Sequence, residues 1–247
     1  MGITKKEAAK STAKIGKISE KTITKKTKID NSAIYDKNKA YPIKEALEIV
    51  KKINKTKFDA SVEVHFRLGL NTKKSDQQVR GAASLPNGTG KTLKIAAFVS
   101  PENEKAVREA GADYVGGEDL VAEIKKTEKT DFQVASAEVA MMKNLAQIAK
   151  ILGTRGLMPS PKNDTVTTNP VKTVEELKKG KISFKNDDTG NVHAIIGKIS
   201  FEDIKLVENF QSLLDTIKKA KPTASKGTFI KNISLSSSMS AGVKVSI

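Results

Sequence analysis

The sequence predicts a protein of mixed α/β and α+β class, with one domain inserted into another. Residues 89–180 alternate buried apolar segments with amphipathic helical segments, which is typical of a parallel, Rossmann-like sheet covered by helices in three layers. The segments on either side alternate apolar and polar residues with a period of two, which indicates half-buried antiparallel strands. We therefore expect an inserted three-layer α/β domain at 89–180 and a discontinuous two-layer α+β domain built from both chain ends, residues 31–88 plus 181–247.

The first flank begins with a predicted helix. Pro42 suits the first turn of a helix, and the apolar residues that follow share one helical face: Ile43, Ala46, Leu47, Val50 and Ile53. Residues 61–70 then alternate apolar and polar side chains, which predicts a strand with one buried face.

A continuous apolar run marks the start of the inserted segment. Residues 93–99 are almost entirely apolar, as expected for a strand buried on both faces. Helices are expected at 101–110, at 120–126, at 139–152 and from a capping box at Thr173 to Gly180, with strands at 113–115 and 132–135 between them.

The period of two returns after Gly180. Asp187 to Gly190 form an Asp-x-x-Gly sequence, which predicts a hairpin turn. A long amphipathic helix is expected from Ser200, as its N-cap, to about Lys219. Strands are predicted at 182–184, 192–196, 228–235 and 243–247.

The charge is unevenly distributed along the chain. The 247 residues carry a net charge of +16, which favours a polyanionic partner through release of counterions from phosphates. The net charge by segment is +6 for 1–30, +5 for 31–88, +1 for 89–180 and +4 for 181–247. We therefore expect the flanks, and not the nearly neutral middle segment, to contact the polyanion.

Residues 1–30 differ from the rest in composition. They are rich in Lys, Thr, Ser and Ala, which predicts a basic, flexible tail. A transit peptide is the alternative, but such peptides are rich in Arg and poor in acidic residues, whereas this segment lacks Arg and contains Glu7 and Glu20. We interpret the segment as an uncleaved tail.

Several kinds of site are excluded or disfavoured by residue type. The chain has no Cys, so disulfides and thiolate metal sites are excluded. Its two histidines, His65 and His193, are predicted to be strand residues with polar partners and not zinc ligands. No apolar run approaches the roughly 18 residues of a membrane span. No cofactor and no membrane contact are expected.

Residues 90–92, Gly-Lys-Thr, invite comparison with a phosphate-binding loop. That loop requires Gly where this chain has Leu85, and it requires a following helix where a strand is predicted here. No catalytic arrangement of residues is present either, so we do not expect an enzyme. A nucleotide-dependent enzyme using the inserted domain remains the alternative, and a general RNA chaperone is a third possibility.

Residues 153–162, GTRGLMPSPK, form the most informative motif. Gly and Pro after a predicted helix indicate a stiff loop in which Gly153 ends the helix and Arg155 and Lys162 point outward. The motif resembles the signature of the L-one family of large-subunit ribosomal proteins. Further blocks resemble that family in its order, from about residue 35 to the C-terminus: 57–65, 75–81, 85–91, 110–117, 226–229 and 238–239.

This resemblance implies both an architecture and a function. It implies two domains with a hinge at 88–90 and 179–181, and binding of large-subunit rRNA at the mobile stalk beside the tRNA exit site. It further implies help in releasing exit-site tRNA and, for a member of bacterial type, repression of its own messenger RNA. The protein would be cytoplasmic, in the large ribosomal subunit, and a monomer outside the ribosome. The implied RNA contacts are Lys57, Phe58, Ser61, His193, Lys226, Gly227, Thr228, Ser238, Met239 and Ser240.

The residues themselves leave two interpretations open for this site. The serine-rich run 236–242 is either a polar loop or an RNA contact made through hydroxyl and N–H groups. Phe58 is either a core residue or an exposed ring that packs on a sugar. The family has Gly where this chain has Ser240, which leaves close backbone approach at that position undecided.

Overall fold

The computed structural model describes residues 35–225 and 227–246. The predicted tail at 1–30 lies outside these residues. The strands are β1 (Ser61–Leu68), β2 (Arg80–Ser84), β3 (Ile95–Phe98), β4 (Tyr114–Gly116), β5 (Val134–Glu138), β6 (Val166–Thr167), β7 (Lys181–Lys185), β8 (Asn191–Lys198), β9 (Ile230–Ser237) and β10 (Val243–Val245). The helices are α1 (Ile43–Ile53), α2 (Glu104–Glu109), α3 (Glu118–Thr127), α4 (Met142–Leu145), α5 (Ala149–Thr154), α6 (Pro170–Lys179) and α7 (Asp203–Lys219).

An antiparallel sheet joins the two flanks of the chain. Its strand order is β10-β9-β1-β8, so β1 from the first flank lies between two strands of the second. His65 in β1 lies opposite His193 of β8 on one side and Ser234 of β9 on the other. The predicted use of both chain ends in one sheet is therefore confirmed.

One face of this sheet is buried beneath two helices. The apolar residues of β1, Val62, Val64 and Phe66, have no exposed surface, and α1 and α7 contact the sheet. Phe66 stacks on Phe210 of α7 with ring centroids 6.2 Å apart. The alternation in β1 leaves its polar residues on the opposite face, and Arg67 among them is exposed. This sheet and its helices form the expected two-layer α+β arrangement.

The middle segment forms the expected parallel sheet, with strand order β4-β3-β5-β6. Alternate residues of β3 enter two different cores. Ala96 and Phe98 pack with residues of α3 to α5, whereas Ile95 and Ala97 pack with residues of α2 and α6. Helices therefore cover both faces of the sheet. The mixed α/β class is confirmed, and the division of the chain into two domains stays a prediction.

Two linkers run side by side between the antiparallel and parallel sheets. They continue from the short ribbon formed by β2 and β7. A Cβ placed on Gly180, whose φ is +108°, would lie 2.4 Å from the Cα of Gly88, so only Gly fits at this crossing. Asn209 of α7, fully buried, accepts a hydrogen bond from the Asn87 N–H (3.0 Å) and donates to the carbonyls of Gly88 (3.0 Å) and Ile196 (2.7 Å). The buried amide thereby fastens one linker to the sheet.

The predicted end of the helix before the 153–162 loop was wrong. Gly153 lies inside α5, and the residue with a left-handed φ of +69° is Gly156. Leu157 N–H donates to the Leu152 carbonyl at 2.9 Å, a bond that closes the helix C-terminus. The expected single helix at 139–152 is instead a series of short α and 3-10 turns.

Two predicted helix caps were also wrong. Thr173 lies inside α6, which begins at Pro170, and its hydroxyl donates to the carbonyl of Asn169. Ser200 lies before α7, whose N-cap is Glu202, and its hydroxyl donates to the carboxylate of Asp59 at 2.9 Å. In neither case does the hydroxyl cap the helix by accepting from a free N–H of its first turn.

Candidate nucleic-acid interface

The start of β1 and the loop after β9 meet at one end of the antiparallel sheet. Ser61 N–H donates to the Ser238 hydroxyl at 3.2 Å, and Ser238 N–H donates to the Ser61 carbonyl at 3.1 Å. These bonds bring residues 57–61 beside 238–240 although 177 residues separate the two bonded serines. We call this region the sheet-end surface.

Two large apolar side chains are exposed at the sheet-end surface. Phe58 is 57% exposed and Met239 is 78% exposed, so neither belongs to the core. Lys57 is exposed beside them. Only two other large apolar residues among those described, Val139 and Ile204, are comparably exposed. An exposed ring and thioether beside a cation are a suitable contact for sugar and base faces.

Ser61 is predicted to contact RNA, but its side chain does not lie at the exposed surface. The residue is only 6% exposed, and its backbone holds the Ser238 loop. Its place at the site is therefore beneath the exposed surface.

The serine loop is held in shape by its own hydroxyl groups. Ser240 Oγ accepts a hydrogen bond from Ser237 N–H at 2.9 Å, and Ser240 N–H donates to the Ser237 carbonyl at 3.0 Å. Ser237 Oγ donates to the side-chain oxygen of Asn54 at 3.2 Å. The Ser240 hydroxyl thus stabilises the loop, at the position where the L-one family has Gly.

His193 lies on the outer face of the sheet, away from the sheet end. The Nδ1 atoms of His193 and His65 are 2.8 Å apart, and His65 Nε2 is 2.9 Å from the Ser236 hydroxyl. His193 Nε2 lies 3.7 Å from the Asp187 carboxylate. Burial lowers the pKa of His65, nearby His193 lowers it further, and Glu63 raises it by less. Both histidines are strand residues with polar partners, as the sequence predicts.

Asp187 is an ionised residue next to His193, and its carboxylate stabilises the turn between β7 and β8. Burial raises the pKa of Asp187, but hydrogen bonds from Asn191 and Thr189 outweigh burial and hold the pKa well below its usual range. The carboxylate accepts from Asn191 N–H at 2.6 Å and from the Thr189 hydroxyl at 2.8 Å. Gly190 has a φ of +83°, which completes the predicted turn between β7 and β8.

The remaining predicted contacts lie at the opposite end of the sheet. Gly227 and Thr228 are exposed just before β9, next to the end of β1, where Gly69 N–H donates to the Phe229 carbonyl. Lys226 lies outside the described residues. The ten residue steps from Thr228 to Ser238 span roughly 33 Å in extended conformation, so the predicted contacts extend along the sheet and do not converge on one point.

A cleft of about 440 Å³ lies against the outer face of the sheet. Its wall contains Glu63 and His193 from the sheet, Lys91 from the linker, and Lys181 from β7. Burial lowers the pKa of Lys181, but the carboxylates of Glu176 and Asp164 outweigh burial and raise it. The cleft therefore presents both signs of charge beside His193.

The parallel sheet has its own crevice, at the carboxyl ends of its strands, where α/β sheets bind ligands most often. This cleft of about 320 Å³ is lined by Ser100, Pro101, Glu104, Gly117, Glu118, Asp119 and Met141. Its three carboxylates would repel the phosphates of a nucleotide. The strand that follows residues 90–92 also agrees with the absence of a phosphate-binding loop there.

Sequence reasoning missed the partners that support the site. His65 of β1 and Asp187 of the β7–β8 turn lie next to His193, and Ser236 of β9 is in turn the partner of His65. The period of two could place His65 on the outer face, but the strand register was needed to place it opposite His193. Arg155, predicted to point outward, is exposed but donates to the Glu128 carbonyl at 3.1 Å and to the Thr130 hydroxyl.

The part of the chain that the structure describes lacks two further kinds of feature. No group of three or more His, Cys, Asp or Glu among its residues is arranged to hold a metal ion. Among the same residues, no helix has both the length and the apolar character needed to cross a bilayer.

An exposed ring and thioether, adjacent hydroxyls and a basic flank on an antiparallel sheet are features typical of an RNA-binding protein of mixed α/β class. The model of the "Ribosomal protein L1p/L10e family" matches residues 50–241, and the chain belongs to this family. It is therefore a ribosomal protein that binds large-subunit rRNA, in a family of structural RNA-binding proteins and not enzymes. Membership also implies a place in the cytoplasmic ribosome.

Proposed function

We propose that the sheet-end surface is the principal site at which this protein binds large-subunit rRNA. The exposure of Phe58 and Met239 carries this proposal, because burying both side chains against RNA removes apolar surface that folding leaves in water. The hydrogen bonds between Ser61 and Ser238 support it, because they hold both apolar groups on one rigid edge.

The mode of binding is recognition of shape and backbone. Phe58 and Met239 pack on sugar or base faces, and Lys57 lies against phosphate. The outer face of the sheet then runs from this end toward Gly227 and Thr228, with His193 between. A folded rRNA segment of roughly 30 Å would contact the whole length.

The RNA site lies in the mobile stalk of the large subunit beside the tRNA exit site, and the protein assists the release of tRNA. The same surface binds a similarly folded segment of the protein's own messenger and represses its translation. These roles are supported by the family of the chain together with the concentration of net charge in the two flanks. Outside the ribosome the protein is a monomer.

Footprinting on deproteinised large-subunit rRNA tests the proposal. The wild-type protein should protect one compact region, and Phe58→Ala and Met239→Ala should each weaken that protection by about tenfold or more. Val139→Ala is the matched control, since Val139 is 55% exposed but lies in the parallel-sheet segment. Equal protection by all three variants would show that the RNA binds elsewhere.

A nucleotide titration tests the rival enzyme. Saturable binding at micromolar concentration, abolished by substitutions in the crevice of the parallel sheet, would favour that alternative. We expect no saturable binding, because the crevice carries carboxylates at Glu104, Glu118 and Asp119.

A further inference from the structure

The two histidines of the chain form one hydrogen-bonded pair. They occupy directly opposite positions on β1 and β8, and their rings meet edge to face with centroids 4.9 Å apart. His65 is partly covered, whereas the His193 side chain is 54% exposed. The imidazole of His193 is thus the more accessible of the two to a ligand.

The 2.8 Å contact between the two Nδ1 atoms accommodates a single hydrogen. When both rings are neutral, one Nδ1–H donates to the other Nδ1. If His65 donates, its Nε2 accepts from the Ser236 hydroxyl, and His193 carries its own hydrogen on Nε2, toward Asp187. In that arrangement both nitrogens of His65 and the Nδ1 of His193 have hydrogen-bond partners. The Nε2–H of His193 is 3.7 Å from Asp187, too far for a direct hydrogen bond, and remains available to a ligand.

A first added proton leaves the contact intact. His193 becomes a cation that donates from Nδ1 to His65, and His65 then donates from Nε2 to the Ser236 hydroxyl. A second proton would place two N–H groups against each other and break the contact. The pair therefore changes its charge by one unit in the weakly acidic range where imidazoles titrate.

Charged groups lie on several of the elements around the pair. On β1, Glu63 and Arg67 flank His65, and Asp187 lies beyond His193 in the turn before β8. On the other side, β9 offers hydroxyls, and Lys244 of β10 lies opposite Ser234. The cleft adds Lys91 and Lys181. Of these groups, the carboxylate of Asp187 lies close to His193, 3.7 Å from its Nε2.

We propose that His65 is a positioning residue for His193: it fixes the ring so that Nε2 faces an RNA phosphate, and RNA binding by this face takes up one proton. The inference rests on the proposed RNA-binding function of the sheet. A cationic His193 donates Nε2–H to a phosphate oxygen, a bond that strengthens as the pH falls. His65 has no RNA contact of its own in this scheme and acts through its Nδ1.

Imidazole NMR on the full-length protein tests the pair without RNA. Because the chain has two histidines, ¹⁵N signals can be assigned with His65→Ala and His193→Ala. We expect two separated titration steps in the wild-type protein, and one step in either variant. Two independent, coincident titrations in the wild-type protein would overturn the proposal.

Affinity for deproteinised large-subunit rRNA, measured from pH 5.5 to 7.5, tests the functional part. Wild-type binding should tighten by about fivefold toward pH 5.5, and His193→Ala should abolish this dependence. His65→Ala should weaken RNA binding by about threefold and alter its dependence on pH. His65→Gln, whose amide can still form a hydrogen bond with His193, should recover most of the affinity at pH 7.5. A structural effect alone would not alter the pH profile.

The control variants distinguish failure of the proposed RNA-binding function from failure of the positioning role of His65. If Phe58→Ala and Met239→Ala leave rRNA binding unchanged, the proposed function is wrong. If those variants weaken binding but His65→Ala matches the wild-type protein at every pH, only the positioning role is wrong. If circular dichroism shows that His65→Ala folds poorly, Ser236→Ala provides a second variant, because it removes the other partner of His65. A pH profile of RNA binding that is unchanged in both Ser236→Ala and His65→Gln would overturn the positioning role.

Discussion

The two large sheets of this protein use their faces differently. Every residue of β3 in the parallel sheet is buried, because helices cover both sides. In β1 of the antiparallel sheet, buried and partly exposed residues alternate, because helices cover one side only. The polar outer face of the antiparallel sheet is consequently available to a partner. In the parallel sheet, only the ends of the strands are available.

The charge of the chain follows the same division. The segment that contains the parallel sheet is nearly neutral, at +1, whereas the segments that form the antiparallel sheet carry +5 and +4. Carboxylates line the crevice of the parallel sheet, whereas Lys57, Phe58 and Met239 are exposed in loops at one end of the antiparallel sheet. A polyanion is therefore expected to favour the antiparallel sheet by both shape and charge.

Removing the parallel sheet is the strongest test of this contrast. A shortened protein that joins residues 31–88 directly to 181–247 should fold and retain most of its rRNA affinity. The join is short, because the backbones of Gly88 and Gly180 already touch. Circular dichroism and rRNA titration measure the two properties. If the shortened protein folds but binds no better than an unrelated basic protein, the antiparallel sheet is not the site.

Two phenylalanines, one from each region, should respond in opposite ways. Phe98→Ala removes a fully buried ring between β3 and the helices and should cost about 3–5 kcal/mol of unfolding free energy. RNA binding by that variant should persist at low temperature. Phe58→Ala should cost less than about 1 kcal/mol of stability but weaken rRNA binding. Thermal melts with rRNA titrations decide the matter, and a large loss of stability in Phe58→Ala would assign that ring to the core.

The crossing of the two linkers can be tested with a pair of glycines. Gly180→Ala should destabilise the protein by about 1–3 kcal/mol, because its φ is +108° and the new Cβ would meet Gly88. Gly153→Ala is the control, since a Cβ there has open space inside a helix, and it should be neutral or stabilising by about 0.5–1 kcal/mol. Equal melting temperatures for the two variants would contradict the tight crossing.

Removing residues 1–30 should reduce rRNA affinity without changing the preferred site. The nine Lys of this segment can neutralise phosphates but have no geometry for reading bases. The slope of log affinity against log salt should become shallower in the truncated protein. Loss of preference for the cognate site over unrelated RNA would show that the segment contributes to specificity.

The smallest expected effect is that of the histidine pair on the pH dependence of the free energy of unfolding. Because the pKa of folded His65 is lowered from 6.5, the unfolded chain binds more protons as the pH falls below that value. The contribution of this group is thus fully present above pH 6.5 and is lost as the pH falls through the folded pKa. Urea unfolding of the wild-type protein and His65→Phe, at pH 7.5 and 5.5, measures it. An equal acid loss in both would assign the effect to other groups.

The sequence alone determined the class of each segment and the family. Periods of two and continuous apolar runs identified β1 and β3, because those patterns depend only on how many faces of a strand are buried. Pro42 and Gly180 marked real helix boundaries for local reasons of backbone geometry. Net charge by segment indicated that the flanks, and not the middle segment, contact the polyanion.

Only the tertiary structure decided what each polar side chain binds. Ser200 and Thr173 have the residue types of helix caps, but Asp59 and the Asn169 carbonyl bind their hydroxyls instead. Ser61 is buried, and His65 meets His193, because the register between strands more than 100 residues apart is set by the packing of the whole sheet. A local pattern fixes the face on which a side chain lies, and the pairing of distant strands fixes its neighbour.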